Sequence, residues 1–441
     1  MVDGRATLPI PREVGRTRLI LASATMIVFQ GSLTIFMDLA YDDHGNRTRL
    51  SWLAQNGVKV WGPERVYVSE EVRLDRISAG AVLMNATITG ATTFIGAGAQ
   101  IGISGLARIH EAQIGPSVVL GAGSYENCVL LHGSKARGFA EFRQGTVLEE
   151  EAETSHNVGL KNTVFTAGVV AGSLINFCDV LLSGGSSRND HSEVGSGSVH
   201  FNFDPRGDKF GSLMGDATGC LLKSRRIFVG GNSGVVAPVH LAFGVVVAAG
   251  SIVRKDVAEN QLSVGDTPGQ SGDLDLDRYF DLSRKFYTTA KLVGNLHALR
   301  AWYQKVRLPH SESGDKPLYL AADGEFDRHI RHRVKELAKV IGKLEKSLSK
   351  PCKNSQDRLF CEQHRILLEN NDRINSFLIR EEYAEAPVSF VAEYESLRNG
   401  RSHTDSVRSL TQEASQVAAE FLREIAARPC LEMRALFGVP D

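Results

Sequence analysis

The chain has 441 residues, 50 Lys and Arg against 51 Asp and Glu, and 42% hydrophobic residues. That length and apolar content can fill a sizeable core and exclude wholesale disorder. The formal net charge of -1 argues against a generic polyanion binder, and six scattered Cys with no C-x-x-C pair read as ordinary thiols of a reducing, cytoplasmic setting.

Residues 1–57 are predicted to form an N-terminal extension. It holds an uncharged stretch from Leu19 to Met37, a polar turn from Asp42 to Asn46, and a short helical pattern through Leu50, Leu53 and Ala54. The uncharged stretch is diluted by Ser23, Thr25, Gln30, Gly31, Ser32 and Thr34, and no A-x-A cleavage pattern follows it. A buried strand or helix is expected there, without membrane contact.

From Val58 the texture changes to short β-branched runs punctuated by Gly, with Val82 and Ile88, Ile95 and Ile101, and Ile114 and Leu120 each six residues apart. The pattern is strongest over Ile227 to Val257, where Val229, Val235, Leu241, Val247 and Val253 recur every sixth residue and Gly230, Ala242, Ala248 and Gly250 supply small residues between them. Neither a helix nor an alternating strand uses that period. It is the hexapeptide signature of a parallel β-helix, in which the recurring aliphatic side chain points into the stacked interior. The fold class expected is therefore mainly β, a hexapeptide β-helix over residues 58–272 followed by an α-helical domain over 273–441.

The repeat blurs between Gly121 and Gly219. That segment carries Glu126, His132, Arg143, His156, Asn176, Asp190, His191, His200, Asn202, Asp208 and Lys209. Insertions in a solenoid become loops on one face, and such loops are where chemistry is expected. After the turn sequence GDTPGQSGD, helical patterning runs from about Asp275 to the end. Leu337, Ile341, Leu344 and Leu348 form one apolar stripe, and Pro351, Pro387 and Pro429 are expected to separate helices. The basic residues between Arg328 and Lys350 suit a solvated helix face better than a nucleic-acid or lipid contact, because the whole chain is neutral.

Three segments carry a resemblance: GFAEFR at Gly138 to Arg143, HNVGLKN at His156 to Asn162, and NFDPRGDK at Asn202 to Lys209, followed by the regular coils FVGGNSGVVAPV and VVAAGSIVRKDV. Over roughly residues 75 to 265 the chain resembles the acetyltransferase half of bifunctional N-acetylglucosamine-1-phosphate uridyltransferase. The resemblance implies a left-handed β-helix, a homotrimer, and acetyl-CoA as co-substrate. It places the general base on His156, an imidazole suited to removing a proton near neutral pH. The sugar-phosphate contacts fall on Arg143 and Lys209, a sugar-site asparagine on Asn176, a second catalytic residue beside His156 on Asn202, and the acetyl-CoA groove on Gly231 and Ala249. Backbone N–H groups near Gly230 and Gly231 would stabilise the oxyanion.

The chain departs from the family at Gly159 and Phe203, where the family has Tyr, and near Tyr125, where its Arg has no counterpart. An extra stretch lies at Gly184 to Val199. No G-x-G-T-R-M loop occurs in the first hundred residues, so uridyl transfer is not expected.

The function implied is N-acyl transfer to a phosphorylated or nucleotide-linked amino sugar such as glucosamine 1-phosphate, in the UDP-N-acetylglucosamine or a cell-envelope sugar pathway. No metal is expected, because His110, His132, His156, His191, His200 and His240 contain no pair five apart, as a three-His β-helix hydratase requires. Asp190 beside His191 is an alternative base-orienting pair, and Asn202, Asp208 and Lys209 an alternative turn-building set. The rival to an enzyme is a β-helical trimeric scaffold whose helical tail binds a partner or mediates assembly.

Overall fold

Coil upon coil, the hexapeptide units form strands of mostly two to four residues that pair in parallel, and one ladder runs through eleven of them from Lys59–Val60 to Leu262–Ser263. This computed structural model describes residues 43–265, 275–312, 314–352 and 354–437, together with the backbone of Ala24–Phe29 and Ser32–Met37. Those last two segments pair as an antiparallel ribbon. The rest of the stretch at residues 19–37, and the GDTPGQSGD turn beyond Gly265, lie outside the described residues.

The ladder from Lys59–Val60 is face A. Face B runs from Val66–Val68 to Ile252–Val253, and face C from Phe94–Ile95 to His240–Leu241. Val229, Val235, Leu241, Val247 and Val253 all point into the lumen, as do Ile88, Ile95, Ile101, Ile114 and Leu120. Val82 does not: Leu83 is the buried residue of that strand, so the phase there starts one residue later than the sequence suggested.

The repeat blurs for a structural reason. Strands Val158–Phe165 and Ile175–Leu182 run eight residues each across the corner between faces B and C, fusing them into one 16-stranded sheet. Asn162 and Asp179 turn that corner with φ of 46° and 65°, a left-handed backbone that Asn and Asp tolerate better than most residues.

Helix α1, Asp43–Gln55, packs Leu50 and Leu53 on the first coil beside Val58, Val66 and Val68. The turn expected at Asp42 to Asn46 is helix from Asp43 on. Asn46 finds its partners in the neighbouring strand rather than in its own turn, donating to the Val66 carbonyl and accepting from the Val68 N–H.

Seven helices follow the coils among the described residues: α2 Ser283–Trp302, α3 Lys316–Leu348, α4 Ser355–Glu369, α5 Asn371–Ile379, α6 Val388–Arg398, α7 His403–Ser409 and α8 Gln412–Leu436. They lie along the coils. Face C is apolar on both sides, and its outward column Val129, Val147, Val164, Leu181 and Leu213 is buried in one cluster with Leu292 and Leu296 of α2 and Phe326 and Ile330 of α3. Gly211 makes room for this docking, since a Cβ there would lie 2.5 Å from Leu292 Cδ2.

Pro351 and Pro387 fall between helices as expected, whereas Pro429 lies buried inside α8, which continues through it at the cost of one backbone hydrogen bond. The Leu337, Ile341 and Leu344 stripe is buried. No helix among the described residues is long and apolar enough to cross a membrane.

Candidate functional site

His156 ends the face A strand Glu153–His156 and stands exposed on the corner between faces A and B. Ladder register puts it at the foot of a column that continues, one coil at a time, through Ser173, Ser196, Gly231 and Ala249. The serines lock the column: Ser173 Oγ accepts from the His156 N–H at 3.4 Å, and Ser196 Oγ from the Ser173 N–H at 3.0 Å. Every later member is small, which leaves an open lane along the corner above His156.

Around the corner, face B carries two outward columns. The first is Ser124, Glu141, Gly159, Asn176 and Val199; the second is Glu126, Arg143, Lys161, Cys178 and Phe201. Gly159 is a pit between Glu141 and Asn176, where a Cβ would meet nothing nearer than the Asn176 side-chain oxygen, at 3.5 Å. Asn176 is exposed on the coil above His156.

Arg143 Nη2 lies 3.8 Å from Cys178 Sγ, and its buried Nε has no hydrogen-bond partner. Its nearest carboxylate oxygen, on Glu141, is 3.7 Å away. Burial and Asp179 push the Cys178 thiol up, and Arg143, Lys161 and Lys209 pull it back. Lys161 pairs in register with Cys178, and Lys209 stands in the turn beyond that column, bridged to Phe203. Lys161 was not singled out in the sequence, although it follows Gly159 by two residues and so shares its outward phase on the strand.

The far edge of face B is closed by α3. Asp179, almost wholly buried, accepts from Asn162 Nδ2 at 3.0 Å and from Asn202 Nδ2 at 2.7 Å, and pairs with the buried Arg333 guanidinium at 2.8 Å. Those partners hold its carboxyl below the usual range against the desolvation that would raise it. Next to it His332 Nε2 stands 3.8 Å from Asp179 Oδ1, and burial, Arg333 and Lys161 together push its pKa down to about 4.

The loop Asn202 to Lys209 is clamped from the same side. Asp208 takes Lys343 at 2.6 Å and the Tyr279 hydroxyl at 2.8 Å, and the Lys209 carbonyl accepts from Arg333 at 3.4 Å.

Several expectations change in this light. Asn202 is not beside His156; it stands at the opposite edge of face B with its amide held by Asp179, in the turn that Phe203 and Lys209 bridge. His200 is no loop histidine. It points into the lumen, where Nδ1 meets the Cys178 carbonyl and Nε2 meets Ser212 Oγ, both at 2.7 Å. Asp190 does not orient His191; it accepts from Ser186 Oγ in a small hairpin, and His191 Nδ1 faces the Arg188 carbonyl. Only the first half of the supposed extra stretch projects, since Glu193–Val194 is a regular face A strand.

Gly230 also has another explanation. Its N–H donates to the Val247 carbonyl, and a Cβ there would lie 2.4 Å from Ala249 N, so coil stacking alone demands glycine. Gly231 is three coils from His156, about 14 Å at ~4.8 Å per strand spacing, too far to hold an oxyanion formed at His156. The nearest small residues are Gly172 and Ser173, one coil above.

Of the basic residues between Arg328 and Lys350, Arg328, Arg331, Arg333, Lys339 and Lys343 each meet a carboxylate. The His156 corner is open surface. A hollow of about 350 Å³ lies elsewhere, between His297, Tyr383 and Arg428. Among the described residues no cluster of His, Cys, Asp or Glu is arranged to hold a metal ion.

No family model matches the chain. It is similar to the bifunctional protein GlmU of Pseudomonas fluorescens, at 34% identity over 158 residues that make up 36% of this chain and 31% of the relative. The GlmU proteins of Streptococcus suis and Thermotoga petrophila are 26% identical over 213 and 217 residues, covering 48% and 49% of this chain and 41% and 44% of theirs. The chain thus spans less than half the length of these curated relatives.

Proposed function

We propose that this chain is an acyl-CoA-dependent N-acyltransferase, with acetyl as the acyl group, acting on an amino sugar that carries a phosphate, such as glucosamine 1-phosphate. The observation that carries this is the placement of His156. It heads an open corner lane of small residues beside face B, which carries Arg143 and Lys161 outward, with Lys209 in the turn beyond. Similarity to the bifunctional GlmU proteins over the coils supports the same chemistry.

His156 takes a proton from the attacking amine, the amine nitrogen bonds to the thioester carbonyl carbon, and the carbon–sulfur bond breaks as the imidazolium returns its proton to the departing thiolate. Ser173, Ser196, Gly231 and Ala249 would flank acetyl-CoA along the corner. Arg143, Lys161 and Lys209 hold the acceptor phosphate by charge-assisted hydrogen bonds, and Asn176 reaches the sugar. Because α2 and α3 cover face C, a trimer would assemble through the corner and faces that carry His156, and a neighbouring subunit would wall the lane.

The test is acetyl-CoA-dependent release of free thiol with glucosamine 1-phosphate as acceptor. Release that falls at least a hundredfold in His156→Ala is expected. No release, with no CoA binding by calorimetry, would leave a β-helical assembly protein instead.

A further inference from the structure

The helical region does more at face B than cover a neighbouring face. Helix α3 turns its Glu325, His329, Arg333 and Glu336 side toward the coils, and all four are buried. Glu325 accepts from the Gly145 N–H at 2.9 Å, and Arg333 is anchored on Asp179. One residue of that seam stands at its rim, partly open to solvent. His332 is 27% exposed and its ring has no hydrogen-bond partner among the described residues, 3.8 Å being too long for one to Asp179. It faces Asp179, whose chain neighbour Cys178 pairs in register with Lys161. One turn earlier Arg328 leans the same way, toward the side-chain amide of Gln144, next to Arg143, whose oxygen accepts from it once the amide is turned over.

Lys161 and Lys209 make no ion pair among the described residues, and Arg143 keeps a buried N–H without an acceptor. The buried Arg143 N–H without an acceptor is costly unless an anion completes it, and the two unpaired ammonium groups beside it favour one there. The anion's floor is therefore face B, and among the described residues the wall rising beside it is α3.

We propose that α3 forms, within the same chain, the second wall of a phosphate-binding site whose floor is Arg143, Lys161 and Lys209, and that His332 donates a hydrogen bond to the bound phosphate. The identity of the acceptor rests on the transferase reading above; the wall itself does not. The helical region is then a part of the substrate site rather than a tail for a separate partner. It fits the departures from the family on this face: Gly159 opens a pit, Lys161 adds a cation, and α3 supplies the contact.

Calorimetric titration of the full chain with inorganic pyrophosphate tests this directly. Lys161→Met and His332→Ala should each weaken binding at least tenfold, and His332→Gln, which keeps an N–H at similar reach, should recover part of the loss. Arg331→Ala removes a charge from the far side of the same helix, where Arg331 pairs with Asp327, and should change binding less than twofold. His332 is partly exposed and unbonded, so an unchanged melting temperature will certify the fold of its variants. Absence of binding in the unsubstituted chain, or unaltered binding in His332→Ala, overturns the proposal. Binding that depends on His332 in a chain that releases no thiol supports the wall and removes the transferase.

Discussion

His200 occupies a lumen position that is otherwise apolar, between Phe177 below and Val235 above, and both ring nitrogens are satisfied there. Burial pushes its pKa from the ordinary 6.5 down to about 4. Below pH 6.5 the unfolded chain therefore binds a proton that the folded chain refuses. The neutral ring's contribution is complete above pH 6.5 and is lost as pH falls toward 4, on the order of 3 kcal/mol over that window. Melting temperature should fall between pH 6.5 and 4, and fall less steeply in His200→Gln, which keeps a donor and an acceptor without a titrating ring. Parallel curves for the two proteins would mean that His200 does not titrate as placed. The sequence could not place this residue, because the excursion from Asn202 onward puts 35 positions between His200 and Val235, its neighbour on the next coil, and the hexapeptide phase cannot be carried across. His156, Arg143 and Lys209 were legible only by resemblance. Lys161 was legible from alternation alone, had the strand been recognised as eight residues long.

At the scale of elements, the coils were legible because one aliphatic residue per hexad must fill the lumen, and that constraint repeats. The helical docking was written less plainly. Strands Cys128–Leu130, Thr146–Leu148 and Ser212–Met214 are buried at every position, a doubly covered strand that shows no alternation. Such runs imply an outer layer, but not which helices supply it. The polar part of the docking is sharper. The π-helical turn Tyr303–Arg307 delivers a fully buried guanidinium to Glu149, at 3.2 Å, and to Glu150, while the Tyr303 hydroxyl donates to Glu149 at 2.7 Å. Burial raises the Glu149 pKa, and Arg307 opposes that rise. Arg307→Met should cost about 3–5 kcal/mol in urea unfolding, since it strands two carboxylates away from water. Adding Glu149→Gln should recover part of the loss. If the single variant costs less than 1 kcal/mol, on the order of an exposed pair, the cluster is wetter than its burial implies.

For the whole molecule the open question is whether coils and helices melt as one. A solenoid is quasi-one-dimensional, with each coil touching only its neighbours, and by itself it can unravel from an end. Here α3 lies across Gln113–Ile114, Cys128–Leu130 and Thr146–Leu148, and α2 lies against Ser212–Met214, so the helices splint coils that do not touch one another. The outward column of face C and the cores of α2 and α3 form one continuous apolar cluster. Such a splint couples distant coils, and unfolding should be a single transition. Far-ultraviolet circular dichroism follows both layers, whereas Trp302, buried and stacked on Phe390 at 5.8 Å, reports the helices; Trp52 and Trp61 are 41% and 62% exposed and should change little. The two signals should coincide in urea. Leu181→Ala, at the centre of the seam, should remove about 2–5 kcal/mol and move both traces together. A variant in which the Trp302 signal moves alone would mean that the helices detach first, leaving an array of coils with an exposed apolar face and a phosphate site that has lost one of its walls.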